Sequence, residues 1–297
     1  MENIILKSID NYELSLAIYE ANKPKGYVQI IHGMQEHKER YDYFATKLLN
    51  AGYTVVVSDT RGHGYNAPTL GYTCELDGDK FILADQKLIT EYIQTKYKTE
   101  KVILFGHSMG SIIARNLLQT ESKNYSHTIL SGYPNYQGAV KLGLGIAKVI
   151  RKIKGGKYYS KLLTNLSVGS FNKKIKNPKT NLDWLSVNEE NVNTYINDPY
   201  SGHKFLTSSF VDLFTLMVNM NKLDNFIEVK SIPLLLLRGL EDPCTGGDKG
   251  SFSSIKTLSK AGFRNIEERK YRNMRHEILN EKERDLVIKD ILEFLGV

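Results

Sequence analysis

The pentapeptide Gly106-His107-Ser108-Met109-Gly110 lies between the aliphatic run Val102-Ile103-Leu104-Phe105 and an apolar-periodic run that begins Ser111-Ile112-Ile113-Ala114. A strand, a tight turn and a helix in that order is the setting in which G-x-S-x-G lifts a serine hydroxyl clear of a sheet edge. The glycines are required sterically, because so sharp a turn leaves no room for Cβ atoms at positions 106 and 110. A serine hydroxyl attacks a carbonyl only when a base takes its proton, so the motif demands a histidine delivered by the fold. Of the seven histidines, His32, His37, His63 and His107 fall in turn-like loops, where stabilising hydrogen bonds account for them. His203 and His276 lie further along, and His276, in Tyr271-Arg272-Asn273-Met274-Arg275-His276-Glu277, follows the last predicted strand. The imidazole in turn needs a carboxylate to hold its tautomer and stabilise its cation. Glu241, Asp242 and Asp248 all follow the aliphatic strand that ends at Arg238 and are candidates.

Those side chains need a scaffold that brings them to one place. Short β-branched or aliphatic runs bounded by turn residues predict strands at 4–8, 13–19, 27–31, 53–58, 101–105, 127–130, 234–238 and 265–271. Apolar residues at spacings of three and four predict helices over 40–50, 79–97, 109–119, 205–222, 249–261 and 281–295. Such alternation implies a mostly parallel eight-stranded sheet with helices on both faces, opened by an N-terminal hairpin turning at Asp10-Asn11. Function in such sheets sits at the carboxyl ends of the strands. After Gly132 the rhythm stops for about 70 residues, where connections of a few residues are usual. Residues 133–203 are therefore read as an insertion into one core domain built from 1–132 and 204–297.

Two further segments carry a family likeness. His32-Gly33-Met34-Gln35-Glu36-His37 follows the third predicted strand, and Asp59-Thr60-Arg61-Gly62-His63-Gly64 follows the fourth. They are similar to the HG-x-x-E-H and D-x-R-G-H-G segments of the monoacylglycerol lipase and lysophospholipase group of the α/β-hydrolases, also called serine aminopeptidase-like hydrolases. With the serine turn, the resemblance spans nearly all of the chain outside the insertion. Asn66 stands where the family pattern usually has serine, in a loop read as structural.

The resemblance implies the α/β-hydrolase fold and the chain order serine, acid, histidine, which selects His276 as base for Ser108. A G-x-x-D acid loop, similar to Gly239-Leu240-Glu241-Asp242, favours Asp242 over its neighbours. The same resemblance implies an oxyanion hole made by the backbone N–H groups of Met34 and Met109. It also makes the insertion a helical lid. His32, Gly33, His107 and Tyr133 are read as substrate contacts. Cys244 occupies a spot usually held by an aliphatic residue and is read as a small hydrophobe. No metal or organic cofactor is implied.

Composition narrows the class. Apolar residues at 41% and charged residues at 25% fit a globular chain and speak against disorder. Two cysteines are too few for a disulfide framework and lack metal-ligand spacing, which favours a reducing cytoplasm. The N-terminus has early acidic residues and no long apolar run, unlike a signal peptide. The net charge of +7 is concentrated: residues 133–182 contain no acid, yet carry Lys141, Lys148, Arg151, Lys152, Lys154, Lys157, Lys161, Lys173, Lys174, Lys176 and Lys179. Leu142, Ile146, Val149, Ile150 and Ile153 recur there at helical spacing among the basic residues. Such a helix can rest on an anionic membrane, wall an acyl tunnel, or pack on the core with its lysines in solvent. No recognisable module interleaves aromatics with this charge, so nucleic acid is not an expected partner.

The expected activity is ester cleavage on a single-chain lipid such as a monoacylglycerol or lysophospholipid. Short-chain carboxylesterase and amidase or aminopeptidase activity stand behind it, because one triad serves them all. A catalytically silent scaffold that binds a ligand is the non-enzymatic alternative.

Overall fold

The computed structural model describes residues 1–227 and 231–297. Eight strands form one sheet: β1 (Glu2–Lys7), β2 (Glu13–Tyr19), β3 (Gly26–Ile31), β4 (Tyr53–Ser58), β5 (Val102–His107), β6 (Tyr125–Ser131), β7 (Leu234–Gly239) and β8 (Ile266–Tyr271). Their spatial order is β1-β2-β4-β3-β5-β6-β7-β8. The hairpin β1–β2 is antiparallel, β2 runs antiparallel to β4, and every remaining pair is parallel. The chain reverses its direction of travel across the sheet at β3 and β5, the place where such sheets open a crevice.

The helices are α1 (Asp42–Asn50), α2 (Gly78–Tyr97), α3 (Met109–Leu117), α4 (Ala139–Lys154), α5 (Lys161–Ser167), α6 (Glu189–Asn197), α7 (Thr207–Asn219), α8 (Gly247–Lys260) and α9 (Arg284–Phe294). One apolar layer joins the sheet to α2, α3, α7 and α8 through residues such as Ile89, Ile113, Phe210 and Leu258; the other joins it to α1 and α9 through Phe44, Leu48, Val287 and Ile291. Buried on both faces, β4, β5 and β7 read as continuous apolar runs rather than alternating ones.

The strands and helices expected from the sequence are all present, with ends displaced by a few residues. The largest instructive shift is in β5, which extends two residues further into the serine turn because Gly106 and His107 still pair with Leu130 and Ser131. Residues 133–203 contain α4, α5 and α6. On α4 the small residues Gly143 and Ala147 are buried, and Gly143 meets the ring of Phe214 on α7.

A buried ionic knot ties this helical segment to the sheet. Arg40 donates both Nη groups to the Glu277 carboxylate, at 2.9 and 2.7 Å, and a third bond of 3.0 Å to Asn191 on α6. Asn191 also donates to Glu277 at 2.7 Å, while the guanidinium lies 4.7 Å from the centre of the Tyr195 ring. Burial opposes the charge on Glu277, and Arg40 more than offsets it, holding that carboxyl below its usual range. His37 adds a second tie, with one ring nitrogen facing Glu39 at 2.6 Å and the other facing Asp198 at 2.5 Å. Burial works against the charged ring, but the Glu39 and Asp198 carboxylates outweigh it and raise the His37 pKa above its ordinary value.

Arg40→Met strands Glu277 as a buried, unpaired charge. We expect it to lower unfolding free energy by about 3–5 kcal/mol, read from the urea midpoint, with Arg40→Met/Glu277→Leu recovering part of that loss, because buried Glu36, 3.7 Å from the guanidinium, also loses its cation.

Candidate active site

The serine turn is held by crowding. Ser108 has φ 49° and ψ −115°, a conformation that a non-glycine residue adopts only under strain. A Cβ on Gly106 would lie 2.4 Å from the carbonyl oxygen of Gly110, and one on Gly110 would lie 2.1 Å from that of Ile31. The Ser108 N–H donates to the Ser131 carbonyl on β6 at 2.9 Å, which anchors the turn to the neighbouring strand.

Three loops then meet. Ser108 follows β5, Asp242 follows β7, and His276 follows β8. The Ser108 hydroxyl lies 2.8 Å from His276 Nε2, and His276 Nδ1–H donates to Asp242 Oδ2 at 3.0 Å. Asp242 accepts through its other oxygen from the Cys244 N–H at 2.8 Å, so its carboxylate cannot swing away freely. Of the competing acids, Asp248 is exposed and bound to Arg238 and Lys270, and Glu241 faces Arg275 at 3.7 Å. Neither reaches the imidazole. Burial disfavours the charged ring of His276, but the Asp242 carboxylate outweighs it and raises the pKa above the ordinary 6.5.

The other expected residues separate into two groups. Gly33, Met34, His107 and Met109 line the same cavity as Ser108. Among the described residues no hydrogen bond from the N–H of Met34 or Met109 is found, so both donors remain available. A Cβ on Gly33 would crowd Glu36 at 2.7 Å and Ser108 at 3.2 Å. His107 stands 4.8 Å from the His276 ring, and burial together with that neighbour lowers its pKa to about 4, keeping it neutral.

His32 and Tyr133 do not reach the cavity. His32 is fully buried; its Nδ1–H donates to the Gly33 carbonyl at 2.7 Å and its Nε2 accepts from the Thr60 N–H at 2.9 Å. Tyr133 is drawn the other way, its hydroxyl meeting Glu268 on β8 and Ser251 on α8, each at 2.9 Å. Both brace loops instead of presenting a group to a ligand.

Sequence reading overlooked several participants. The Trp184 ring lies 5.0 Å from that of His276, centre to centre, tilted by 40°, and covers one side of the imidazole. Glu36 accepts the Gly33 N–H at 2.5 Å and the Tyr41 hydroxyl at 2.8 Å, fixing the loop that carries Met34. Tyr195 donates to the Gln35 carbonyl at 2.8 Å, so α6 braces that loop as well. The Arg40–Glu277 pair spans 237 positions, a separation at which local spacing carries no signal.

The cavity above Ser108 measures about 460 Å³, within the range of small-molecule sites. Its walls are largely apolar: Ile112, Val140, Ile146, Leu213, Phe214 and Met217 belong to the main apolar core, and Phe171, Leu182 and Trp184 to a separate small cluster. Among the described residues, the metal-ligating atoms that cluster are those of Asp242, Cys244 and His276, within 4.8 Å of one another. A metal there would break the hydrogen-bonded chain to Ser108. Chemically, the arrangement can activate a hydroxyl for attack on a carbonyl held in an apolar cleft.

Comparison with known proteins agrees with this architecture. Residues 22–283 match the family model described as "Serine aminopeptidase, S33". A monoacylglycerol lipase of Mycolicibacterium smegmatis is 26% identical over 275 residues, covering 92% of this chain and 88% of that protein. The phospholipase YtpA of Bacillus subtilis is 26% identical over 276 residues, covering 91% and 95% respectively. Among solved structures, a thermostable carboxyl esterase from Bacillus coagulans in complex with glycerol superposes with a TM-score of 0.92 at 26% identity, covering 99% of this chain and 97% of that one. A match over so much of the sequence, with an eight-stranded sheet to suit it, places the chain in the serine aminopeptidase S33 family of α/β-hydrolases.

Proposed function

We propose that the protein is a serine carboxylic-ester hydrolase acting on single-chain lipids, a monoacylglycerol lipase or lysophospholipase. The observation that carries this reading is the unbroken hydrogen-bonded chain Ser108–His276–Asp242 at the floor of a deep apolar cavity. Ser108 Oγ attacks the ester carbonyl as His276 Nε2 takes its proton. The imidazolium so formed is stabilised by Asp242, and the tetrahedral oxyanion accepts from the N–H groups of Met34 and Met109. His276 then returns the proton to the leaving alcohol, and water repeats the sequence to release the acid from the acyl-enzyme. Residues 133–203 act as the lid whose apolar wall receives the acyl chain. A strand-turn serine of this kind supplies no discrimination between esters; the cavity does.

The unbridged Cys74 and Cys244 support a reducing compartment, the cytoplasm. No helix among the described residues is long and apolar enough to cross a membrane. Short-chain esterase activity is a second reading, favoured by the likeness to the carboxyl esterase. A panel of soluble p-nitrophenyl esters of increasing acyl length separates the two: kcat/KM should rise from acetyl to medium chains, and a maximum at acetyl would overturn the lipid assignment. Met217→Trp, which puts a larger side chain into the apolar lining, should move the optimum to shorter chains.

Ser108→Ala and His276→Ala should each lower kcat by roughly 10⁴- to 10⁶-fold with thermal unfolding nearly unchanged, and a phosphonate should label wild-type protein on Ser108 alone. Unlabelled folded protein would favour a binding scaffold.

The base works only when neutral, so kcat/KM should fall as pH drops through the folded-state pKa of His276, with an acid-limb midpoint above 6.5. Asp242→Asn removes the raising charge and leaves burial in place. Its acid limb should move to lower pH, and its rate should fall by about four orders of magnitude because asparagine holds the wrong tautomer.

A further inference from the structure

Few charged side chains line the cavity around Ser108, and how they are paired decides which substrates it accepts. Among the described residues of that lining, the acids are Glu36 and Glu277, both buried and both engaged. Glu277 is held by Arg40 at 2.9 and 2.7 Å and by Asn191 at 2.7 Å. Glu36 accepts from the Gly33 N–H and the Tyr41 hydroxyl through one oxygen and faces Arg40 through the other, at 3.7 Å. A substrate ammonium could reach either carboxylate only by displacing a buried guanidinium, and breaking such a pair is costly. The segment over the cavity offers no substitute, since residues 133–182 contain no acid.

The basic side of the lining differs. Lys204 is exposed at the cavity wall and meets no carboxylate among the described residues. Its Nζ lies 5.5 Å from the centre of the Tyr159 ring, which lines the same cavity; an aromatic face attracts a cation without neutralising it. The neighbouring His203 adds no charge: its Nδ1–H donates to the Tyr200 carbonyl at 3.1 Å, and burial lowers its pKa. Two contacts set this stretch at the reacting end. The Gly202 N–H donates to the Gln35 carbonyl at 2.9 Å, and the Gln35 side-chain amide donates to the His203 carbonyl. Gln35 directly follows Met34, one of the expected oxyanion donors. Lys204 therefore stands beside the loop that would hold the ester carbonyl, where the alcohol half of a substrate departs.

We infer that the cavity selects its substrate by the charge of the alcohol half: Lys204 pairs with a phosphate-bearing head on a single-chain acyl ester, while cationic heads and free amino termini are refused. The inference deepens the reading of the site as a lipid-ester hydrolase and rests on it for the bond that is cut. The charge of the lining is independent of the chemistry at Ser108. Because Lys204 is exposed, water and salt screen it, so the preference for an anionic over a neutral head should be about threefold to tenfold at low ionic strength.

Three esters with one acyl chain and different heads test it: octanoylglycerol phosphate, octanoylglycerol and octanoylcholine, each kept below its micelle concentration. Wild-type kcat/KM should fall in that order and converge as salt is raised. Lys204→Glu should invert the ratio of phosphate to choline ester, Lys204→Met should bring it close to one, and Lys204→Arg should restore it. If Lys204→Met lowers all three rates together and leaves the ratio unchanged, the lysine is only structural and the proposal is overturned. A wild-type enzyme that takes octanoylcholine as readily as the phosphate ester, or that cleaves leucine p-nitroanilide, overturns it too. Calorimetric binding of the same esters to Ser108→Ala protein separates charge from chemistry. Affinities in the expected order, with no hydrolysis of any ester by the wild type, would support the charge preference and remove the hydrolase reading; equal affinities would do the reverse.

Discussion

The imidazole of His276 has to meet a carboxylate on one edge and a hydroxyl on the other, 3.0 and 2.8 Å away, though all three groups come from different loops. That condition constrains the positions of β5, β7 and β8 together. Parallel pairing places the carboxyl ends of these strands at one rim, with Gly239 on β7 level with Tyr271 on β8 and His107 on β5 level with Ser131 on β6. Gly239 illustrates how tight the convergence is: a Cβ there would lie 2.2 Å from the Met274 carbonyl oxygen, inside the loop that delivers His276. A one-residue slip in any of these registers would send the side chains to opposite faces of the sheet.

A second layer of charge holds the first in place. Glu277 follows His276 directly and is clasped by Arg40, which the loop after β3 supplies; Glu36, on that same loop, lies 3.7 Å from the guanidinium. Two buried carboxylates therefore share one buried cation next to the imidazole, and α6 contributes Asn191 and the Tyr195 ring to the same knot. Such a pair offers little net stability over a well-packed apolar substitute, but losing one partner is expensive. Its consequence is geometric: the histidine loop, the loop carrying Met34 and α6 are tied to one another.

The helical segment also explains how one reaction centre can suit relatives named for monoacylglycerol, phospholipid and simple ester cleavage. Ser108, Asp242 and His276 come from loops that follow strands of the sheet. The remaining cavity lining, from Val140 to Trp184, comes mostly from the segment between β6 and α7. Packing α4 on α7 through glycine and alanine brings the helix close enough to form a wall while leaving its larger side chains for the cavity and the surface. Substrate preference can change there without disturbing the strand registers.

The alternation of strands and helices and the serine turn could be read from the sequence because they depend on local physics, period and turn sterics; pairing Ser108 with Asp242 and His276 rested on the family resemblance, and the fold brings the three within hydrogen-bond reach. The expected substrate contacts His32 and Tyr133 are not among the residues that line the cavity. Adjacency in sequence to Gly33 or Gly132 says nothing about where a ring points, and hydrogen bonds to Thr60 and Glu268 take both rings elsewhere. Only the tertiary structure decided that Arg40 would pair with Glu277, that Trp184 would lie against His276, and that α4 would bury Gly143 and Ala147 while leaving Leu142, Val149 and Ile153 exposed. Those outcomes join positions distant in the chain, and the free energy of burying a charge or a ring depends on what the fold sets against it, which no local pattern records.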